Sequence, residues 1–155
     1  IYNAGRFKGD AVTRVGALDR IDTLLSGITD PPFTAVIRAE PLALSGTPVL
    51  AYWMLSRASD FRSLSNIGSN TQVMVRAYFR LQESADVRES VELALWDAAV
   101  QIDTQLRSDA NLNDNVTDSN VGSAVFGMAQ VGNALYRTVS VPFEMMIYEE
   151  VPIAA

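Results

Sequence analysis

The sequence predicts an α+β fold: a small sandwich in which two amphipathic helices pack on a mostly antiparallel sheet of about four strands, joined by long polar loops. Two long stretches repeat apolar residues at three- and four-residue steps, the spacing of one helix face. Shorter stretches alternate apolar and polar residues, the period of a half-buried strand. The length of 155 residues indicates a single domain, with its core over about 9–150 and short arms at both ends.

The first helix is predicted over residues 10–26, with Asp10 at the N-cap position and Gly27 after the last turn. Its apolar face consists of Val12, Val15, Leu18, Ile21, Leu25 and Ile28. The second helix is predicted over residues 84–107, with Ser84 as its N-cap. Its apolar face consists of Val87, Val91, Ala94, Leu95, Ala98, Ile102 and Leu106. Each helix therefore has one side suited to a core.

Four strands are predicted, over residues 34–40, 49–56, 71–82 and 136–149. The last two alternate most regularly, and in the fourth the inward side consists of Val139, Val141, Phe143, Met145 and Ile147. Pro142 falls in the fourth strand and has no N–H to donate, so that strand is predicted to be an edge strand or to be bulged there.

The outward side of these strands carries Met74, Tyr78, Met146 and Tyr148 among polar residues. A sheet face of this character is either covered by another subunit or a mixed face exposed to solvent, and the sequence leaves both interpretations open.

Two polar stretches are predicted to be long loops, residues 57–70 and 109–130. Loops on a rigid scaffold are where binding residues usually lie, so these loops are the candidate interfaces, with disorder as the alternative. The candidate interface residues are Arg57, Asp60, Arg62, Asn66, Asn70, Asp109, Asn111, Asn113, Asp114 and Asp118.

Composition excludes several kinds of chemistry. The sequence has no Cys and no His, so it lacks thiol nucleophiles, thiolate ligands and the commonest general base at neutral pH. Residues 84–155 carry three Lys or Arg against eleven Asp or Glu, and the whole chain has a net charge of −6. Such an acidic surface repels phosphate and argues against specific binding of nucleic acid. No apolar run is long enough for a transmembrane helix, so no membrane partner is expected.

The stretch D-A-N-L-N-D-N-V-T-D-S-N, residues 109–120, begins like the calcium loop of a helix–loop–helix site. Asp109, Asn111 and Asn113 occupy its first three ligand positions. The sixth position holds Asp114 instead of Gly, and the twelfth holds Asn120 instead of a bidentate Glu. An exposed loop whose Asp and Asn side chains cap the helix end and form turns fits better, and neither a metal nor a cofactor is expected.

The order of elements, together with several stretches, resembles the tail-terminator (tail-completion) proteins of long-tailed bacteriophages. The stretches are L-L-S-G-I at the end of the first helix, V-I-R-A-E-P-L, the strand T-Q-V-M-V-R-A-Y-F-R after a polar loop, the second helix E-S-V-E-L-A-L-W-D-A-A-V-Q-I-D-T-Q-L, and the closing strand Y-R-T-V-S-V-P-F-E-M-M-I-Y. The resemblance covers about residues 9–150 and concerns architecture and spacing.

The resemblance implies a structural virion protein with no catalysis and no cofactor, made in the bacterial host cytoplasm and located at the tail or neck. It implies a homo-oligomeric ring, expected to be a hexamer, that caps the tail tube protein and meets the head–tail connector proteins. Genomic DNA would pass through the channel without specific binding. A head-completion or head–tail joining (neck) protein is the near alternative. A calcium- or ligand-binding module that uses residues 109–120 and an enzyme that depends on carboxylates are alternatives of other classes.

Overall fold

In the computed structural model, which describes residues 4–61, 66–81 and 84–150, the chain forms two helices and six strands. The helices are α1 (Ala4–Ser26) and α2 (Ala85–Arg107). The strands are β1 (Ala35–Ile37), β2 (Val49–Phe61), β3 (Asn66–Arg80), β4 (Asp118–Val121), β5 (Val125–Val131) and β6 (Ala134–Glu150). Within these residues, neither helix has the length and apolar character needed to cross a membrane.

The strands form one curled, mixed sheet in the order β1-β2-β3-β6-β4, and β5 also pairs with β6. β1 runs parallel to β2, whereas the other pairs are antiparallel. The predicted sandwich of two helices on about four strands is therefore wrong. The two additional strands, β4 and β5, lie inside the stretch predicted as an irregular loop. The sequence of β4 is polar at three of its four positions and that of β5 is apolar or Gly at six of its seven, so neither shows the apolar alternation that indicates a strand.

The predicted loop over residues 57–70 is also wrong, because β2 and β3 continue through most of it as a long hairpin. Backbone pairing runs from Val49 opposite Tyr78 to Phe61 opposite Ile67, with an irregularity between Met54 and Ser56. Strands pair through backbone hydrogen bonds, which polar residues make as well as apolar ones. The polar composition that suggested a loop therefore belongs to paired strands.

Both helices begin and end near the predicted boundaries, except that α1 begins at Ala4 instead of Asp10. The Gly27 N–H donates to the Thr23 carbonyl at 3.1 Å, so the helix ends where the Gly predicted. Ser84 is the N-cap of α2, as predicted, but its side chain makes no capping hydrogen bond.

The core lies between the two helices and one face of the sheet. The buried residues that form it include Ala17, Ile21, Leu25, Leu95, Ala98, Ile102 and Leu106 from the helices and Leu50, Tyr52, Val73, Val75, Val139, Val141, Phe143, Met145 and Ile147 from the strands. The predicted inward side of the last strand is thereby confirmed. Among the side chains that the structure describes, the predicted helix faces are wrong at Val15, which is 56% exposed, and at Val87, which is 42% exposed. The predicted side chain of Val12 lies outside that description.

Pro142 lies in an inner strand, so of the two predicted alternatives, an edge strand or a bulge, the edge strand is wrong. β6 pairs with β3 on one side from Tyr136 to Glu150, and Pro142 lies opposite Met74 without a shift of register. On the other side it pairs with β4 up to Val121 and with β5 from Val125, which leaves a gap opposite Pro142. The Gly122 N–H donates to the Pro142 carbonyl at 2.7 Å, so the Pro nitrogen faces this gap, where no ladder partner needs an N–H.

Part of the outward sheet face is covered by the chain itself. Ala51, Tyr78 and Val131 form a second buried cluster, against which Leu44 packs from the segment between β1 and β2. Tyr78 is 1% exposed and its ring meets Tyr136 edge-on, with centroids 6.3 Å apart. At this end of the sheet, neither solvent nor another subunit is needed to explain the aromatic side chains.

Candidate interaction surfaces

The loop after α2 contains one turn of left-handed backbone. Leu112, Asn113 and Asp114 have φ values of 47°, 57° and 63°. Asn and Asp adopt this conformation more readily than other residues with a side chain, whereas Leu does so at a cost of about 1–2 kcal/mol. Leu112 is held there because its side chain is fully buried in the main core. The left-handed backbone thus accounts for Asn113 and Asp114 without a bound calcium ion.

The predicted interface residues of this loop bind one another or the rest of the chain. Asp109 accepts a hydrogen bond from Arg20 Nε at 2.7 Å. Asn111 Nδ2 donates to Asp114 Oδ1 at 2.8 Å, and the Asp114 N–H donates to Asn111 Oδ1 at 3.3 Å. Asp118 Oδ1 accepts from the Ser119 N–H at 2.9 Å, and Asn113 is exposed on the left-handed turn. These contacts are those of a folded connection with its own hydrogen bonds.

The other predicted interface residues belong to the β2–β3 hairpin. Arg57 is exposed on β2, and Asp60 and Asn66 lie near the hairpin's far end, while Arg62 lies outside the described residues. Asn70 on β3 and Asp118 on β4 flank the same residue of β6, Met146, from opposite sides. The structure therefore brings one residue from each predicted loop into a single row across the sheet, about 10 Å apart at the spacing of neighbouring strands.

Within the described ranges, no group of three or more Asp or Glu side chains could hold a metal ion. The shifted pKa values occur in structural contacts. Burial raises the pKa of Tyr52 to about 12 and also raises that of Tyr78, although neighbouring arginines oppose both shifts. A hydrogen bond from Arg137 lowers the pKa of the Glu92 carboxyl. These contacts hold the helices and the sheet strands in place, and the tyrosines lie in two different clusters.

An apolar stripe runs along the outer side of α2. It consists of Leu93, Trp96 and Val100, which are 61%, 67% and 48% exposed. The spacing of three and then four residues places them on one side of the helix, opposite the buried Ala98 and Ile102. A large exposed Trp between two exposed aliphatic residues is unusual for a solvated helix face and typical of a contact surface.

A groove lies between α1 and the sheet at the base of the long hairpin. Its volume is about 360 Å³, and its walls are largely apolar. The lining residues are Arg14 and Ala17 from α1, Met54, Leu55, Ser56 and Arg57 from β2, Thr71 from β3, and Met145 and Ile147 from β6. Met54 and Leu55 are half exposed at its rim, so the groove is open to a ligand or to a side chain from another molecule.

The edge strand β5 is a third exposed surface. Its sequence, V-F-G-M-A-Q-V, contains no charged residue and no Pro. Among the described strands, it pairs with β6 alone. Val125 and Met128 are 62% and 60% exposed. Monomeric proteins usually guard such edges with charges or Pro, so an unguarded edge strand is a site where another strand can add.

The spacing of residues in the sequence already indicates the stripe on α2, although only one apolar face of this helix was predicted. Leu93, Trp96 and Val100 have helical spacing on the side opposite the predicted face. The groove had no such signal, because its lining residues come from four elements that are distant in sequence. β5 was missed because six of its seven residues are apolar or Gly, so its sequence shows no apolar–polar alternation.

No protein-family model matches the sequence, and no curated protein shows significant similarity to it.

Proposed function

We propose that the chain is a structural protein of a phage virion, the terminator of a long tail, and that it assembles into a ring. In this role the ring caps the last layer of the tail tube and meets the head–tail connector proteins. It performs no catalysis and needs no cofactor, and the genome passes through its channel. The proposal is supported by the order of elements on which the resemblance to that family rests, a helix before the long hairpin and a second helix before the closing strands.

The single observation that carries the proposal is the pair of separate apolar surfaces, the stripe on α2 and the groove beside the hairpin. A chain with two different contact surfaces can bind one neighbour through each of them. Such contacts build rings when the rotation closes, and filaments when it does not. A binding module for a small ligand would need the groove but would have no use for the exposed Trp96.

Two further features suit a virion channel protein. The net charge of −6 gives a surface that DNA passes without adhering to it. The unguarded edge of β5 offers a place where the tube protein or a connector protein adds a strand. The loop over residues 109–117 forms hydrogen bonds with itself and anchors Leu112 in the core, which argues against the calcium-binding alternative.

The test is to image the purified protein by negative-stain microscopy, alone and with tail tubes that lack a terminator, and to determine its mass by light scattering. The proposal predicts rings that bind to one end of each tube and stop its growth. Rings that bind connectors and ignore tube ends would instead identify a neck protein. A strictly monomeric protein that ignores both would overturn the proposal.

A further inference from the structure

We infer that the stripe on α2 of one copy docks into the groove of a second copy, so that the two surfaces form one head-to-tail contact. The inference rests on the proposed function, since it names the contact by which copies join. It identifies the partner as another copy of this chain, with Trp96 as the side chain that enters the groove.

The sizes of the two surfaces agree. The groove's volume of about 360 Å³ accommodates an indole ring with space for part of a neighbouring side chain. Its walls are apolar at Met54, Met145 and Ile147. An aromatic side chain buries roughly 150–250 Å² when it becomes enclosed, which makes Trp a frequent anchor of protein interfaces. Trp96, with 67% of its surface exposed, has most of that area still to bury.

The charges around the two surfaces are opposite. Asp86, Glu89 and Asp97 are exposed beside the stripe on α2, whereas Arg14 is exposed at the groove. Acids around an apolar anchor and a guanidinium group beside its pocket orient two copies as they approach. The same charges oppose contact between two stripes, because that contact would bring the acids of both copies together. Opposite charges therefore favour a contact between unlike surfaces.

The positions of the surfaces exclude a contact within one chain. The stripe lies on the side of α2 that faces away from the sheet, since Ala98 and Ile102 on the opposite side are buried in the core. The groove lies between α1 and the sheet. A copy whose stripe is occupied still has a free groove, so the contact repeats from copy to copy.

The experiment uses the full chain and two variants, Trp96→Glu, which damages the stripe, and Leu55→Glu, which damages the groove. Both residues are exposed on the single chain, so both variants are expected to fold, which circular dichroism and urea unfolding would verify. Leu42→Glu is the matched control, because Leu42 is 90% exposed and lies in neither surface. Sedimentation velocity measures self-association. We expect each of the two variants to associate at least roughly thirtyfold more weakly than the wild type, and the control to associate normally.

Mixing the two variants separates a head-to-tail contact from a symmetric one. Trp96→Glu retains an intact groove and Leu55→Glu retains an intact stripe, so an equal mixture forms heterodimers and stops at that size. A symmetric contact between stripes would instead let Leu55→Glu assemble like the wild type, which would overturn the inference.

The remaining outcomes distinguish the inference from the proposed function. If the wild type forms rings and Trp96→Glu forms them equally well, the stripe is not the contact, and the inference fails while the proposed function stands. If Leu55→Glu loses stability but assembles normally, the groove holds a segment of its own chain, and the inference again fails. If the wild type stays monomeric at every concentration and does not bind tube ends, both the inference and the proposed function are wrong.

Discussion

Arg20 on α1 and Asp109 after α2 form an ion pair, with 2.7 Å between Arg20 Nε and Asp109 Oδ2, that fixes the start of the left-handed loop to the first helix. The Asp109 side chain is 18% exposed and that of Arg20 is 36% exposed. The pair is thus partly shielded from solvent, and it joins residues 89 positions apart. Asp109 was predicted to serve an interface, but its carboxylate is committed to this intramolecular contact.

Replacing Asp109 with Ala should lower the free energy of unfolding by about 1 kcal/mol, the upper range for pairs with some exposure. Arg20→Ala should have a similar effect, and the double variant should cost less than the two single changes together. Urea unfolding of all four proteins measures this coupling. Additive losses would show that the two side chains act independently. If Asp109→Ala changed assembly but not stability, the predicted interface role of Asp109 would be supported instead.

The left-handed turn should depend on Leu112 as its anchor. Leu112→Ala should lower the free energy of unfolding by about 3 kcal/mol, because it leaves a cavity in the core where the side chain is fully buried. Asn113→Ala should cost about 1 kcal/mol because φ is 57° there, and Asn113→Gly should cost less because Gly adopts that conformation freely. Thermal unfolding compares the three. An Asn113→Ala variant as stable as Asn113→Gly would contradict the left-handed backbone.

The side chain of Asn115 lies against Gly16 on α1, so a residue without a Cβ should be required at position 16. In a helix interior, Gly→Ala normally gains about 1 kcal/mol. Here a Cβ on residue 16 would overlap the amide of Asn115, whose Cγ would lie 2.8 Å away. Asn115 Nδ2 donates to the Leu112 carbonyl at 2.8 Å, so moving it disturbs the turn. Gly16→Ala should therefore be destabilising.

Asn115→Ala should relieve the overlap at Gly16. The loss caused by Gly16→Ala should be smaller in the Asn115→Ala background than in the wild type, and urea unfolding of the four proteins gives the difference. Ser26→Ala, at the exposed end of the same helix, controls for substitution on α1. If Gly16→Ala stabilises both backgrounds equally, Asn115 does not approach the helix as described.

The parts of the fold that the sequence predicted are those where burial follows a regular period. β6 was predicted because Val139, Val141 and Phe143 alternate into the core, and α2 because Leu95, Ala98 and Ile102 recur at helical steps. The far half of the β2–β3 hairpin was missed because residues 57–70 are mostly polar and show no regular apolar–polar alternation. These strands are held by backbone pairing between separate segments, and a single sequence does not show which residues pair.

The stripe on α2 and the groove differ in how far the sequence could predict them. The stripe on α2 has local spacing, so a search for a second apolar helix face would have found Trp96 and its neighbours. The groove is created by tertiary packing, since Arg14 and Ile147 meet there from opposite ends of the chain. Asn and Asp are common in binding loops, but Asn113 and Asp114 here adopt a left-handed backbone.

Stability should fall at alkaline pH because of Tyr52. Its hydroxyl accepts a hydrogen bond from Arg38 Nε at 2.8 Å and lies within hydrogen-bonding distance of the Leu18 carbonyl, at 3.2 Å, and of Asp22 Oδ1, at 3.1 Å. Burial, more than any other cause, raises the pKa of Tyr52 to about 12, while the hydrogen bond from Arg38 works in the opposite direction. In the unfolded chain the pKa of a tyrosine is about 10. Between these values the unfolded state holds fewer protons than the folded state, so the free energy of unfolding decreases as pH rises.

The contribution of Tyr52 is complete below about pH 10 and is lost as pH approaches 12. Tyr52→Phe should be less stable than the wild type at neutral pH, because it leaves Arg38 and the polar groups of α1 without the hydroxyl. The difference should shrink through this window, as measured by urea midpoints at successive pH values. Absorbance titration of the phenolates should show a late step near pH 12 that Tyr52→Phe removes. A constant stability difference across the window would mean that Tyr52 loses its proton equally readily in both states, and that its burial does not control its ionisation.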